Sequence, residues 1–220
     1  MGRIVLWALV ATSVAGGANA GAWPREEGSW FATAATRLNW PQDVASWSSA
    51  APTSDYQTLY LEYGLTARWT LGLDIGRSVS GADKTIGFVQ YPVMTGDSGA
   101  RMTLQMGLGR LAGGQVVRPG LSVGWGLTRG WLSLDSVAEI AIDEGTDYKL
   151  DITWGRNLAR DRKLIMQVQL GDPAADPPFA RLAPSFVFPL NDRLQVETGA
   201  TWGLSGDDSM GLKLGLWASF

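Results

Sequence analysis

The chain has 220 residues, 45% hydrophobic and 18% charged, with 28 glycines, 11 tryptophans and a formal net charge of -3. No apolar run is long enough for a spanning helix in the mature chain, and the slightly acidic balance provides no basic surface suited to nucleic acid. Cys and His are both absent, which removes thiol chemistry, disulfides, imidazole bases and the usual zinc ligands, so no cofactor and no metal is expected.

The first segment, residues 1–20, reads as an export signal. Arg3 supplies a positive start, Ile4 to Val14 an apolar core, and Ala18-Asn19-Ala20 the small-x-small pattern cut by signal peptidases. The mature chain is then expected to begin near Gly21 and to form a single domain over 21–220.

Through that domain, apolar residues recur at every second place in segments separated by turn-rich breaks, the cumulative pattern of a spanning β-barrel. The expected strands are 29–40, 57–65, 67–79, 85–95, 100–111, 115–128, 131–143, 147–156, 163–171, 179–190, 194–205 and 210–220. The fold class predicted is all-β: one antiparallel up-and-down transmembrane barrel of twelve strands, with ten as the alternative. In the fourth segment, "TIGFVQYPVMT", neither face can be assigned.

The breaks alternate in kind. "YGLTARW", "MTGDSGAR", "WGLTRGW", "NLARDRK" and "LNDRL" are tight and basic, whereas those between them are longer or richer in Asp, Gly and Pro. Outer-membrane barrels have short periplasmic turns and longer outer loops, which places both termini in the periplasm and makes the outer rim acidic, with Asp207 and Asp208 among its carboxylates. The first outer loop, Val44 to Tyr56 with Trp47, is the best candidate for a gate. Trp30, Trp69, Trp125 and Trp154 fall near the periplasmic ends on the apolar parity, as a membrane girdle requires. Trp131 and Trp217 fall on the opposite parity.

The last segment, "MGLKLGLWASF", alternates apolar residues from Met210 to Phe220. It resembles the carboxy-terminal signature of bacterial outer-membrane proteins, which implies that Phe220 is an assembly signal read by the barrel assembly machinery. "EYGLTARWTLGLD" and "GWGLTRGWLSLD" look like the hairpin repeat of small proteobacterial outer-membrane barrels of the transporter or phenol-degradation-associated type. That resemblance implies a channel-like role in the bacterial outer membrane, with membrane lipid and lipopolysaccharide as surroundings and no nucleic acid as partner.

The inward parity carries Arg37, Glu62, Arg68, Asp74, Arg101, Arg118, Asp135, Glu139, Lys149, Asp151, Arg181, Glu197 and Lys213. Each would cost about 2 to 4 kcal/mol in lipid near the midplane, so their restriction to one face points to a lumen. The expectation is a narrow, weakly selective pore lined by these residues; a closed structural barrel whose interior is filled by ion pairs is the alternative. Glycines such as Gly72, Gly76, Gly107 and Gly124 share the inner face, either leaving room for solute or serving strand curvature. A lipid-modifying barrel enzyme is the weakest reading, because barrels resembling outer-membrane phospholipases place a His in the catalytic constellation and this chain has none.

Overall fold

The computed structural model describes residues 21–78, 83–95, 99–141 and 145–220. The expected export signal and the expected ends of the third and seventh segments lie outside these residues. Twelve strands are formed: β1 (Trp30–Pro41), β2 (Ser54–Gly64), β3 (Thr70–Ser78), β4 (Asp83–Thr95), β5 (Ala100–Leu111), β6 (Gly114–Leu127), β7 (Gly130–Ala141), β8 (Gly145–Asn157), β9 (Lys163–Asp172), β10 (Phe179–Pro189), β11 (Leu194–Ser205) and β12 (Ser209–Ser219). Each pairs antiparallel with its neighbours in sequence, and β1 pairs with β12 to close the barrel. Twelve strands are therefore correct and ten are not.

Closure continues to the final residue. Trp30 N donates to Phe220 O at 3.0 Å and Phe220 N donates to Trp30 O at 3.1 Å, so the chain end is the last rung of the seam. One rim, the terminal rim, carries this end of the seam and the connections that leave the even-numbered strands; the other, the loop rim, carries those that leave the odd-numbered strands. The expected contrast in length holds only for β1–β2 (42–53) and β9–β10 (173–178), since β5–β6 is the two-residue turn Ala112-Gly113 and β11–β12 spans only 206–208. β3 begins at Thr70 rather than 67 because Leu65 to Trp69 form a closed turn: Leu65 N and Thr66 N both donate to Trp69 O, and Thr66 Oγ1 accepts from the amides of Arg68 and Trp69.

Alternation places unlike residues on the two faces of nearly every strand. On β5, Leu104 is 49% exposed beside Thr103 at 1%. Along β12, Leu212, Leu214 and Leu216 face outward while Gly211 and Gly215 are buried. The outward set is large and aliphatic, which in water would be an aggregation surface and in a bilayer is the wall. β4 resolves in an unexpected direction, because its inward residues include the apolar Ile86 and Phe88, both buried. Its faces are illegible in sequence because both carry apolar residues: Val89 and Val93 look outward, Ile86 and Phe88 inward.

The β6–β7 ladder is interrupted between Val117 and Gly120, at Pro119. Proline has no N–H to donate across that gap.

Leu104→Arg and Leu214→Arg are expected to destabilise the barrel by about 2 to 4 kcal/mol each if they lie near the midplane. Gln105→Glu, one residue away and facing Arg118, should cost much less. Reversible unfolding in lipid vesicles checks both, and equal tolerance at positions 104 and 105 would remove the assignment of faces.

Candidate functional site: the barrel interior

The interior is built from the inward parity of all twelve strands, together with a segment that is not part of the wall. Towards the loop rim, Arg181 Nη2 meets Asp207 Oδ2 at 2.5 Å. Burial alone would raise the Asp207 carboxyl, but hydrogen bonds from Ser209 and Arg181 outweigh it and hold the group below its usual range.

Below this rim, Asp74 joins Lys84 Nζ at 2.8 Å and Arg118 Nη1 at 2.5 Å. Arg118 also lies 3.7 Å from Glu139 Oε1, and Lys149 pairs with the other oxygen of Glu139. The Arg118 guanidinium sits 5.5 Å from the centre of the Phe88 ring, which stacks on Tyr60 at 5.5 Å. On the facing wall, Glu197 binds Lys213 Nζ at 2.8 Å and Trp217 Nε1 at 3.0 Å. These are networks rather than single pairs, as buried charge requires.

Mid-height is polar. Gln90 Nε2 donates to Gln105 at 3.2 Å, Gln167 Nε2 to Thr153 Oγ1 at 2.9 Å, and Ser133 Oγ to Asp135 Oδ2 at 3.0 Å. Asp135 and Asp151 are opposite each other across the β7–β8 ladder.

Nearer the terminal rim the interior becomes apolar. Trp131, Ile165 and Val187 form a buried cluster on which Trp217 and Trp23 pack. The reversed parity of Trp131 and Trp217 thus has a simple cause: they are interior residues.

Trp23 belongs to the nine residues preceding β1, which fold back into the barrel. Thr103 Oγ1 donates to Ala22 O at 3.2 Å, and Arg25 N donates to Thr70 Oγ1 at 3.2 Å. Arg25 Nε meets Glu62 Oε2 at 2.5 Å, with its guanidinium 4.3 Å from the centre of the Phe31 ring. Ala22 is 1% exposed. Sequence reasoning misses this segment because nine residues are too few for an element with a period. Its one signal is composition, a Trp and an Arg directly after a cleavage pattern.

Of the thirteen residues expected on the inner face, twelve have that parity in the barrel, with Arg101 near the terminal rim and Arg37 beside the seam, opposite Lys213. Arg68 does not. It is exposed in the β2–β3 turn, where its Nη1 donates to Tyr91 Oη at 3.2 Å on the outward side of β4. The turn that delays β3 to Thr70 removes Arg68 from the interior.

In the loop expected to be a gate, the Trp47 ring stacks on Trp40, 6.2 Å away on the outward parity of β1, and its Nε1 donates to Pro41 O. Trp30, Trp69 and Trp154 are exposed near the terminal rim, and Trp125, on the same parity, pairs with Ala100 and Leu132. Trp30 and Trp69 lie against Tyr63 and Tyr91, at 4.5 and 4.9 Å. Among the described residues, no three acidic side chains converge as a metal site would need.

Several inner glycines are receptors for rings. A Cβ on Gly72 would lie 2.0 Å from Phe88 Cζ, one on Gly155 2.2 Å from Trp131, and one on Gly124 2.5 Å from Trp23. At these three positions the space is occupied by side chains, whereas a Cβ on Gly126 would meet nothing within 4 Å.

No protein-family model and no curated protein matches the chain, but solved structures share its fold. The KdgM porin in complex with disordered oligogalacturonate aligns over 86% of this chain and 99% of its own, at 9% identity and a TM-score of 0.66. The NanC porin aligns over 84% and 98%, at 10% identity and 0.65. Outer membrane phospholipase A from Escherichia coli aligns over 90% and 95%, at 10% identity and a lower score of 0.50. The fold is thus the twelve-strand barrel of small outer-membrane porins.

Asp74→Asn should leave Lys84 and Arg118 without their shared carboxylate. About 3 kcal/mol of destabilisation is expected from the uncompensated buried charge. Urea unfolding in vesicles measures it, and Lys84→Met combined with Asp74→Asn should recover part of the loss.

Proposed function

We propose that the chain is an outer-membrane channel that passes small hydrophilic solutes by passive diffusion, narrowly and with weak selectivity. One observation carries this reading. Charged and amide side chains are concentrated on the inside of a closed twelve-strand wall whose outside is aliphatic, in a fold shared with porins. Both signs of charge are interleaved in the Asp74–Arg118–Glu139–Lys149 and Glu197–Lys213 networks, so neither cations nor anions meet a uniform field. Hydrolytic chemistry on the lipid face is the less supported role, since the chain contains no His or Cys to activate a nucleophile near neutral pH.

A specific observation favours a second reading, a barrel closed by its own side chains. Arg118, Glu139 and Glu197 are each under 5% exposed, and the segment before β1 occupies the half of the interior near the terminal rim. Planar-bilayer recording of the purified barrel separates the two. Small, discrete conductance steps with a reversal potential close to zero in a salt gradient support the channel. Silence from protein with native heat-modifiable gel mobility supports the closed barrel and overturns the channel.

The terminus supports an outer-membrane destination. Phe220 is 64% exposed and closes the seam with Trp30, so it is proposed both as the last rung and as the outward aromatic that assembly machinery recognises. Deleting Phe220 should leave export intact and make periplasmic, protease-sensitive protein accumulate. Normal amounts of the truncated chain in the outer membrane would show that the residue is dispensable.

A further inference from the structure

Gly21, the residue after the expected cleavage pattern, lies in a place that suits a charge the uncleaved chain does not have. Gly21 lies in the polar tier at mid-height. A Cβ built on it would be 2.7 Å from Ser122 Oγ and 3.4 Å from both Asp135 Oδ1 and Gln90 Nε2. Asp135 has hydroxyls beside it but no salt-bridge partner among the described residues: its Oδ2 accepts from Ser133, the Ser122 hydroxyl also acts on the carboxylate, and its Oδ1 is buried without a well-formed hydrogen bond. The carboxylate of Asp151 faces it across the ladder; Arg37, Lys213 and Lys149 act on Asp151 from a distance, but among the described residues neither acid is in a salt bridge. Two acids side by side repel unless a cation joins them.

We propose that the α-ammonium group created at Gly21 by cleavage after Ala20 is the counter-ion of Asp135, so that the barrel holds its own new N-terminus as a plug in the lumen. The cleavage is a hydrolysis carried out by a signal peptidase. Water adds across the Ala20–Gly21 amide, Ala20 departs with a carboxylate, and Gly21 keeps the nitrogen, which takes up a proton as ammonium. Before that step the Gly21 nitrogen is a neutral amide, and the leader, with its apolar core from Ile4 to Val14, would have to continue through a tier of Gln, Ser and Asp side chains. Seating therefore follows processing.

The remainder of the segment is shaped to hold the plug. Trp23 fills the space over Gly124 and packs on the Trp131 cluster, and Arg25 is clasped by Glu62 and Phe31. The backbone is then tied to the end of β2, where Gly28 N donates to Gly64 O at 2.8 Å and Gly64 N to Ser29 O at 3.0 Å. The first bonds to be lost in an opening are those at the free end, because the β1 end is covalently fixed.

The site of the terminus does not depend on the channel reading; only the effect on conductance does. The exported mature protein is purified, its first residue is confirmed by mass spectrometry, and it is treated with 2-pyridinecarboxaldehyde, which modifies α-amines and spares lysines. Folded wild type should react at least ten-fold more slowly than the urea-unfolded chain. Asp135→Asn should lose most of that protection, and Asp135→Glu should restore it.

A chain starting at Gly21 whose α-amine reacts equally fast folded and unfolded would overturn the proposal, as would protection unchanged in Asp135→Asn. So would a mature chain that starts at another residue. In planar bilayers, a variant whose mature chain starts at Ser29 should conduct at least two-fold more than wild type. Equal non-zero conductance would refute the plug, whereas silence of both proteins with the α-amine protected would refute the channel and leave the seated terminus standing.

Discussion

Everything in this molecule depends on the requirement that no backbone polar group be left unpaired in the hydrocarbon. A sheet in lipid has only one way to meet it, which is to have no edges. The β1–β12 ladder is therefore the constraint on which the rest hangs: it fixes the number of strands, brings the first and last residues of the wall together, and obliges the last residue to be part of the structure. With the wall closed, inside and outside become two solvents. The twelve-strand circumference then sets how much interior there is to fill.

That interior lies between two regimes. Smaller barrels are filled by their side chains, and much larger ones leave water-filled bores. Here the chain uses several means of filling at once, in tiers. The Asp74–Arg118–Glu139–Lys149 network stands towards the loop rim, amides and small hydroxyls at mid-height, and an indole-rich apolar cluster near the terminal rim, with the Glu197–Lys213 and Arg25–Glu62 pairs beside it. Glycines on the wall make room for the bulky rings opposite them, so residue volume is moved from wall to lumen instead of being lost.

Much of this was legible in the sequence, because the two faces of a membrane strand differ so strongly in chemistry. Leu104 beside Gln105, or Leu214 beside Lys213, can be read without coordinates, and the strand count follows from the turns. What fails is instructive. Arg68 has the right parity for the interior but sits in a turn, where parity has no meaning. The faces of β4 could not be assigned because Ile86 and Phe88 are apolar on the inside, matched to Gly72 and Gly107 on neighbouring strands, and a long-range fit of that kind leaves no periodic trace. Trp23 and Arg25 are hidden for another reason: they belong to no element, and only their contacts give them a place.

The interruption at Pro119 bears on how the wall deforms. The two positions where the β6–β7 ladder lacks pairing include Arg118, and the residue that would face it in register is Glu139. Their side chains meet inside the barrel at 3.7 Å. An ionic contact thus spans the stretch where backbone links are missing. Such a link is non-directional and stretches without breaking abruptly. The gap is not unique: β10–β11 pairing skips from Leu182 to Ser185, at Pro184, and the β4–β5 register shifts between Pro92 and Met94, so prolines mark three places where the wall is held by fewer backbone links.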